Sequence, residues 1–107
     1  MFKINGLSWT IFMVDPFHPM LMRDNGTFSV GVCDSETRAI YINDTLNYNF
    51  LKHVLCHEIV HAAIFSYGVI LSIAEEEFIA ELIATYGEEI VEITNSIFSK
   101  LKNIYLK

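Results

Sequence analysis

The sequence predicts an α+β fold in which a small, mainly antiparallel sheet packs on two helices. Before about residue 46, short runs rich in Val, Ile, Phe and Thr are separated by turn residues, as strands are. After that point, apolar residues recur at the spacing of helices. The length of 107 residues allows one sizeable hydrophobic core but not two, so we expect one domain over residues 1–107.

Four segments of the N-terminal part have strand character. In the stretch RAIYIND, Ile40 and Ile42 alternate with other residues, which is the pattern of a half-buried strand. The preceding CDSET supplies a turn, and DPFHPMLMRDNG, which contains both prolines, should form an irregular loop. We expect strands near Lys3–Asn5, Trp9–Val14, Thr27–Cys33 and Ala39–Asn43.

A first helix is predicted from about Asn47 to about Tyr67. Asn47 is a suitable N-cap because its side-chain oxygen can accept a hydrogen bond from the first helical turn. Gly68 stands where a helix commonly ends, since glycine readily adopts the left-handed conformation that closes the last turn.

A second helix is predicted to begin at Ser72, where Ser72 and Glu75 have the spacing of a capping box. Apolar residues keep helical spacing beyond this point, so the helix either continues past Gly87 or breaks there. The final stretch, Asn95–Lys107, is predicted to be a short amphipathic helix, and its apolar face also fits a partner or oligomer interface. The sequence leaves the oligomeric state open.

Composition argues against a nucleic-acid partner and against a membrane span. The formal charge is −6 and only seven residues are Lys or Arg, whereas phosphate binding needs clustered basic side chains. The apolar stretch Val54–Ala74 is long enough to cross a bilayer. It contains Glu58, however, which would cost about 2.5–3.5 kcal/mol near the bilayer centre, and Gly68 interrupts it. We therefore interpret it as two elements of a soluble domain.

The two cysteines, Cys33 and Cys56, lack the spacing of a CxxC motif. They are typical of free thiols in a reducing compartment, and no signal-peptide cleavage pattern follows the N-terminus. A cytoplasmic location is therefore expected.

The stretch VLCHEIVHAAI carries an HExxH motif formed by His57, Glu58 and His61. Residues four apart lie on one helix face, so the two imidazoles can meet one Zn²⁺ ion. Glu58 is rotated away from the metal and would lie beside its bound water as the catalytic base. The alternative is a core helix with a polar seam. Burying these side chains without partners would cost about 2–7 kcal/mol for each polar group, and a metal would provide a partner.

A catalytic zinc usually has a third protein ligand, and the second helix offers four glutamates. Glu75 is better used in the capping box, and Glu76 lies nearest the frayed start of the helix. Glu77 and Glu81 are four apart on one face, so one can bind zinc while the other accepts a hydrogen bond from a ligand histidine. We expect Glu77 to be the ligand and Glu81 the partner, with the reverse assignment left open.

Two neighbours of the motif have other interpretations. His53 lies on the same stripe as His57 and His61, but it is about 12 Å from His61 along the helix axis, which is too far to share one ion. It is expected at the surface or in contact with a ligand. Cys56 projects away from both motif histidines and is interpreted as a small buried hydrophobic residue.

The HExxH helix followed by a glutamate-bearing helix resembles the gluzincin group of zinc metallopeptidases. There the second helix often carries a glutamate ligand and, four residues later, an acidic partner of a zinc histidine, which correspond here to Glu77 and Glu81. The wider pattern is similar to small prophage-type proteins of the ImmA/IrrE metallopeptidase family, from about Val30 to Ile90. The stretches that carry this similarity are VGVCDSETRAIYINDTL, LKHVLCHEIVHAAI and EEEFIAELIATYGEEI.

This resemblance implies a zincin-like fold and a zinc metalloendopeptidase. Zn²⁺ would be held by His57, His61 and Glu77, with Glu58 as the catalytic residue. The implied substrate is a protein or peptide, such as a transcriptional repressor or another phage or host protein. Two features depart from the family pattern: the glutamate spacing of the thermolysin branch would select Glu81, and the extra domain of some members is not expected within residues 1–107.

The implied reaction is metal-assisted hydrolysis of a peptide bond. The substrate is expected to lie extended along an edge strand, for which Ala39–Asn43 is the candidate. The residue that assists zinc at the oxyanion is open among Tyr67, Tyr86 and His18. A second hypothesis is a catalytically silent, zinc-stabilised protein-binding module. Glu58 favours catalysis, because a structural site has no use for a general base.

Overall fold

The computed structural model describes residues 1–105, and over that range the chain forms a four-stranded mixed sheet and two α-helices. This confirms the predicted α+β class. Leu106 and Lys107, the last residues of the predicted C-terminal helix, lie outside the described residues. The elements are β1 Phe2–Ile4, β2 Leu7–Val14, a 3₁₀ turn at Pro19–Leu21, β3 Gly31–Asp34, β4 Ala39–Asn43, α1 Tyr48–Ser66 and α2 Ile73–Tyr105.

The strand order is β1-β2-β4-β3. β1 and β2 form an antiparallel hairpin whose turn residues Asn5 and Gly6 both have positive φ, as an Asn-Gly type I′ turn requires. β3 and β4 are also antiparallel, whereas β2 and β4 are parallel. The prediction of a mainly antiparallel sheet therefore omitted one parallel pairing.

The prediction that Ala39–Asn43 is an edge strand is wrong. This segment is β4, which pairs with β2 on one side and with β3 on the other. The chain leaves β2 through the long proline-containing loop, and β4 then returns beside β2, so β3 takes the outer position. The free edges of the described sheet belong to β1 and β3.

The third strand is shorter than the predicted Thr27–Cys33, because it begins at Gly31. The preceding residues are held by the loop instead of by the sheet. Phe28 forms an isolated bridge with Met22, and the Ser29 amide donates to the Leu21 carbonyl at 2.7 Å. The sequence pattern alone did not reveal the later start of β3, since residues held by a loop can be as extended as residues in a strand.

The core lies between the sheet and α1. The buried cluster contains Trp9, Ile40, Ile42, Val54 and Ala62. The Trp9 indole N–H donates to the hydroxyl of Ser66 at 2.8 Å, which satisfies both polar groups inside the apolar core. This bond ties the last turn of α1 to β2 and fixes the position of the helix over the sheet.

The predicted starts of both helices are confirmed. The Asn47 side chain accepts from the Phe50 amide at 3.0 Å. At the second helix, the Ser72 amide donates to the Glu75 carboxylate at 2.9 Å, and the Glu75 amide donates to the Ser72 hydroxyl at 3.1 Å. Gly68, with a φ of 66°, follows the end of α1 as predicted.

α2 runs without interruption through Gly87 to Tyr105. The prediction of a separate C-terminal helix was therefore wrong, since nothing between the two predicted helices ends the first. Glycine costs a helix only about 1 kcal/mol relative to alanine, and the chain has no proline after Pro19. Within residues 1–105, neither helix has the apolar length needed to cross a bilayer.

Candidate metal centre

α1 and α2 pack against each other and supply the residues of a candidate metal centre. The Nε2 atoms of His57 and His61 lie 3.2 Å apart. Both face the carboxylate of Glu77, with 3.1 Å from His57 Nε2 to Oε2 and 2.9 Å from His61 Nε2 to Oε1. One ligand atom from each residue falls within 4.8 Å of the other two. These three side chains could therefore hold one metal ion.

The chemistry of these donors fits a metal cation. Two imidazole nitrogens and one carboxylate oxygen form a set that Zn²⁺ commonly takes in catalytic sites. The facing lone pairs of two neutral imidazoles at 3.2 Å repel each other unless a proton or a cation lies between them. The carboxylate of Glu77 supplies the negative charge that balances such a cation.

The outer nitrogens of both histidines are held by other glutamates of α2. His57 Nδ1 lies 3.0 Å from Glu81 Oε1, and His61 Nδ1 lies 2.6 Å from Glu76 Oε1. A carboxylate only accepts hydrogen bonds, so with a metal bound each Nδ1 would carry the proton donated to Glu81 or Glu76, and each Nε2 would offer its lone pair to the metal beside Glu77. Both rings are thus oriented for metal binding by α2 itself.

The geometry distinguishes Glu77 from Glu81. Glu77 faces both Nε2 atoms, whereas Glu81 contacts the outer nitrogen of His57 and also His53 Nε2 at 2.8 Å. The hydrogen bond from His53, followed by the one from His57, lowers the pKa of Glu81 below its ordinary value although burial acts in the opposite direction. Among the described residues, the group that could hold a metal contains Glu77 and not Glu81.

Sequence reasoning missed the role of Glu76, which it placed at a frayed helix start. The capping box orders this turn, and the Glu76 amide donates to the Ser72 carbonyl at 2.9 Å. The Glu76 side chain is therefore held where it reaches His61. A signal was present in the sequence: two ligand histidines need two outer acceptors, and Glu76 and Glu81 lie on either side of Glu77.

Glu58 is buried, with 8% of its surface exposed, and is not part of the metal-capable group. Burial raises the pKa of Glu58 above its ordinary value. The nearby His57 and His61 oppose this effect, and Glu77 adds to it. The Glu58 carboxylate lies between the two histidines and β3, and it lines a cleft beside the candidate metal centre.

The cleft beside the candidate metal centre has a volume of about 850 Å³. β3 forms one wall, and apolar side chains of α1, of the following loop and of the start of α2 form another. Tyr67, Tyr86 and His18, considered above as oxyanion residues, do not line the cleft over residues 1–105, whereas Arg23 does. The apolar side chains of the lining are Val30, Val32, Phe50, Val54, Ile64, Phe65, Val69 and Ile73.

Both cysteines are free thiols, as predicted. Cys33 lines the cleft, but burial, with Glu58 as the next cause, raises the pKa of its thiol to about 12. The thiol is therefore protonated at neutral pH and cannot act as a nucleophile there. Burial also raises the pKa of Cys56, and Cys56 does not line the cleft.

Gly31 on β3 allows the sheet to approach Glu58 closely. A Cβ atom at this position would lie 2.8 Å from Val54 Cγ1 and 3.1 Å from both Cγ and Oε2 of Glu58. Both neighbours are buried, so neither can move away freely. The position therefore requires glycine for reasons of space.

We expect Gly31→Ala to lower the free energy of unfolding by about 1–3 kcal/mol, the usual cost of overpacking a core, and to displace the Glu58 carboxylate. Chemical denaturation followed by Trp9 fluorescence measures this change. Gly87→Ala is the matched control, because its Cβ would meet only the Ile83 side chain and alanine favours a helix. Equal stability of Gly31→Ala and the wild type would contradict the close packing at Glu58.

The chain matches no known protein family, and no curated protein shows significant similarity to it.

Proposed function

We propose that this protein is a zinc-dependent metallopeptidase that hydrolyses peptide bonds of a protein substrate. The observation that carries the proposal is the convergence of His57, His61 and Glu77, with the buried carboxylate of Glu58 beside them in an open cleft. A structural zinc site is usually closed by four protein ligands, whereas a catalytic site has three and leaves one position for water or substrate. The donor set here is of the second kind.

Each residue of the centre has a distinct task. Bound zinc would polarise the scissile carbonyl and lower the pKa of a water molecule to about 7. Glu58 accepts the proton of that water and delivers it to the leaving amine. Its burial supports this role, because a raised pKa makes the carboxylate a stronger base than an exposed glutamate, and a general acid-base catalyst works best when its pKa lies near the working pH. Glu76 and Glu81 hold the rings of the two ligand histidines.

The free edge of β3 is the binding site we propose for the substrate backbone, in place of the predicted Ala39–Asn43. The Asn43 amide donates to the Val30 carbonyl at 3.0 Å, and Val32 is paired with Tyr41. Because bonded pairs alternate in an antiparallel ladder, the backbone groups of Gly31 and Cys33 point away from β4. An extended peptide can pair with those groups and pass the metal centre.

The cleft walls support a preference for apolar residues near the scissile bond. Eight apolar side chains line the cleft, and burying an apolar side chain of a substrate gains about 1.5–3 kcal/mol. Acidic peptides would be disfavoured, because Glu76, Glu77 and Glu81 also line the cleft. Arg23 is the basic residue on the lining and is available to a substrate carbonyl or carboxylate.

The group of zinc metallopeptidases to which we assign the protein is part of the same proposal. An HExxH helix, a second helix that supplies a glutamate and an edge strand beside the metal form the packing expected of a zincin. Together with the resemblance noted in the sequence, this supports a minimal gluzincin of the ImmA/IrrE type. A phage or host regulator, such as a transcriptional repressor, is the class of substrate that we propose on this basis.

Metal removal and reconstitution test the proposal. We expect one zinc per chain by elemental mass spectrometry, cleavage of an unstructured protein such as casein, loss of cleavage after chelation and recovery when zinc is added. His61→Ala should lose both zinc and cleavage. His18→Ala is the matched control, since His18 stacks on Tyr41 and does not line the cleft.

Two results of this experiment would contradict the proposal in different ways. A zinc content far below one per chain that does not rise when zinc is added would exclude the metal centre. Stoichiometric zinc without cleavage of casein or of a peptide library would favour the zinc-stabilised binding module. The large exposed apolar surface of α2 is the observation that favours that second candidate.

A further inference from the structure

The C-terminal half of α2 extends away from the rest of the protein. We define the α2 tail as residues 88–105, every one of which is exposed. The ion pair between Lys52 and Glu88, at 2.9 Å, joins α1 to the first residue of this tail. The protein measures 57 × 31 × 28 Å, and its radius of gyration is 16.7 Å, compared with about 13 Å for a compact chain of this length.

The α2 tail is amphipathic although every one of its residues is exposed. At about 100° per residue, its apolar side chains fall within an arc of roughly 160° and its charged side chains fall outside that arc. Thr94 is the polar residue inside the arc, and its hydroxyl donates to the Ile90 carbonyl at 2.8 Å, so this hydroxyl is already satisfied. The apolar residues are Ile90, Val91, Ile93, Ile97, Phe98, Leu101, Ile104 and Tyr105.

The exposed area has the size of a protein interface. A compact protein of 12.3 kDa exposes about 6,100 Å², whereas this chain exposes 7668 Å². The excess is roughly 1,500 Å², and a stable interface needs about 800 Å² from each partner. The surface of the α2 tail is therefore large enough for a stable dimer.

We propose that the α2 tail is a homodimer interface in which two copies of the tail pair antiparallel. Tyr86, Ile90, Ile93 and Ile97 are separated by four, three and four residues, which is the seam spacing of paired helices. An antiparallel pair centred on Asn95 places Ile93 against Ile97 of the second copy. The same alignment places Tyr86 against Ile104.

The charge distribution of the α2 tail favours a second copy of this chain as the partner, and it favours antiparallel over parallel pairing. The first part of the α2 tail is acidic, with Glu88, Glu89 and Glu92, and the later part is basic, with Lys100 and Lys102. Antiparallel pairing brings the acidic part of one tail beside the basic part of the other, whereas parallel pairing would align like charges. A membrane surface is less suitable, because amphipathic helices that bind anionic lipids are rich in Lys and Arg on the polar face.

The dimer leaves the candidate metal centre accessible. Glu81 is the last residue of the centre along α2, and the pairing between the two copies begins five residues later, at Tyr86. The two clefts would lie at opposite ends of an elongated dimer. This inference therefore does not depend on the proposed function, and each can fail without the other.

Sedimentation of the full chain over a range of concentrations tests the interface. We expect a mass of two chains for the wild type and of one chain for Ile97→Glu. Ser99→Glu, on the polar side of the tail, is the matched control and should remain a dimer. Far-UV circular dichroism checks that Ile97→Glu is folded. Should it unfold, Lys100→Glu with Lys102→Glu keeps the apolar arc intact and should weaken association by roughly tenfold or more.

Cysteine crosslinking tests the direction, in a chain whose Cys33 and Cys56 are replaced by Ser. Ile104→Cys should crosslink to Tyr86→Cys of a second copy but not to another Ile104→Cys, which would lie about 27 Å away. Self-crosslinking of Ile104→Cys would overturn the antiparallel arrangement. A monomer at every concentration, an oligomer that Ile97→Glu leaves intact, or tight binding of the monomer to phosphatidylserine vesicles would overturn the dimer.

Discussion

Glu58→Gln is expected to reduce peptide hydrolysis by about 10²–10⁴-fold while one zinc per chain remains bound. The amide keeps the size of the carboxylate but cannot accept the proton of the attacking water. Metal binding should persist, because Glu58 is not part of the group formed by His57, His61 and Glu77. The measurement is the turnover of a fluorogenic peptide, with zinc content determined on the same samples.

The stability of this variant separates a chemical effect from a structural one. Burial disfavours the charged form of Glu58, so a neutral amide should not lower the free energy of unfolding by more than about 1 kcal/mol. Glu36→Gln, which removes an exposed carboxylate from the turn between β3 and β4, is the matched control for the loss of charge. It should change neither turnover nor zinc content.

The outcome also separates the two candidate functions. A zinc-stabilised binding module uses the metal for folding and has no reaction for Glu58 to assist. Unchanged turnover in Glu58→Gln would therefore exclude Glu58 as the base and assign any cleavage to a contaminant or to another group. Loss of zinc together with turnover would instead place Glu58 among the residues that hold the metal.

Features governed by local rules were predictable from the sequence. Asn47 and the pair Ser72 and Glu75 mark the helix starts correctly, because each cap depends on a side chain and a backbone amide only a few residues away. The positions of His57 and His61 one above the other depend only on the helix period. These rules locate the motif on α1 without any knowledge of tertiary structure.

Features that depend on distant packing were not predictable in the same way. The place of β4 between β2 and β3 is set by a parallel pairing between segments separated by the long loop, and alternation of apolar residues does not specify a neighbour. The contact of Glu76 with His61 depends on how α2 is rotated against α1. The periodicity of apolar residues also could not decide whether the second helix ends near Gly87. A single glycine destabilises a helix by only about 1 kcal/mol relative to alanine, which is too little to end it.

The three glutamates of the centre should differ in their effect on zinc affinity. Glu77→Ala removes a group that faces both Nε2 atoms, and we expect it to abolish stoichiometric binding. Glu81→Ala and Glu76→Ala each release one ligand ring from its outer acceptor, which typically costs 10–100-fold in metal affinity. Competition with a chromophoric zinc chelator measures all three affinities on one scale.

Glu75→Ala is the matched control for these substitutions. It removes a neighbouring carboxylate from the same turn of α2, but that carboxylate accepts from the Ser72 amide and touches neither histidine. It should weaken the helix start, because the Ser72 amide loses its acceptor, and leave zinc affinity within about twofold of the wild type. If Glu81→Ala lowers affinity more than Glu77→Ala does, then Glu81 is the ligand and Glu77 the partner. Such a result would require the rings of His57 and His61 to turn when the metal binds, because their Nε2 atoms now face Glu77.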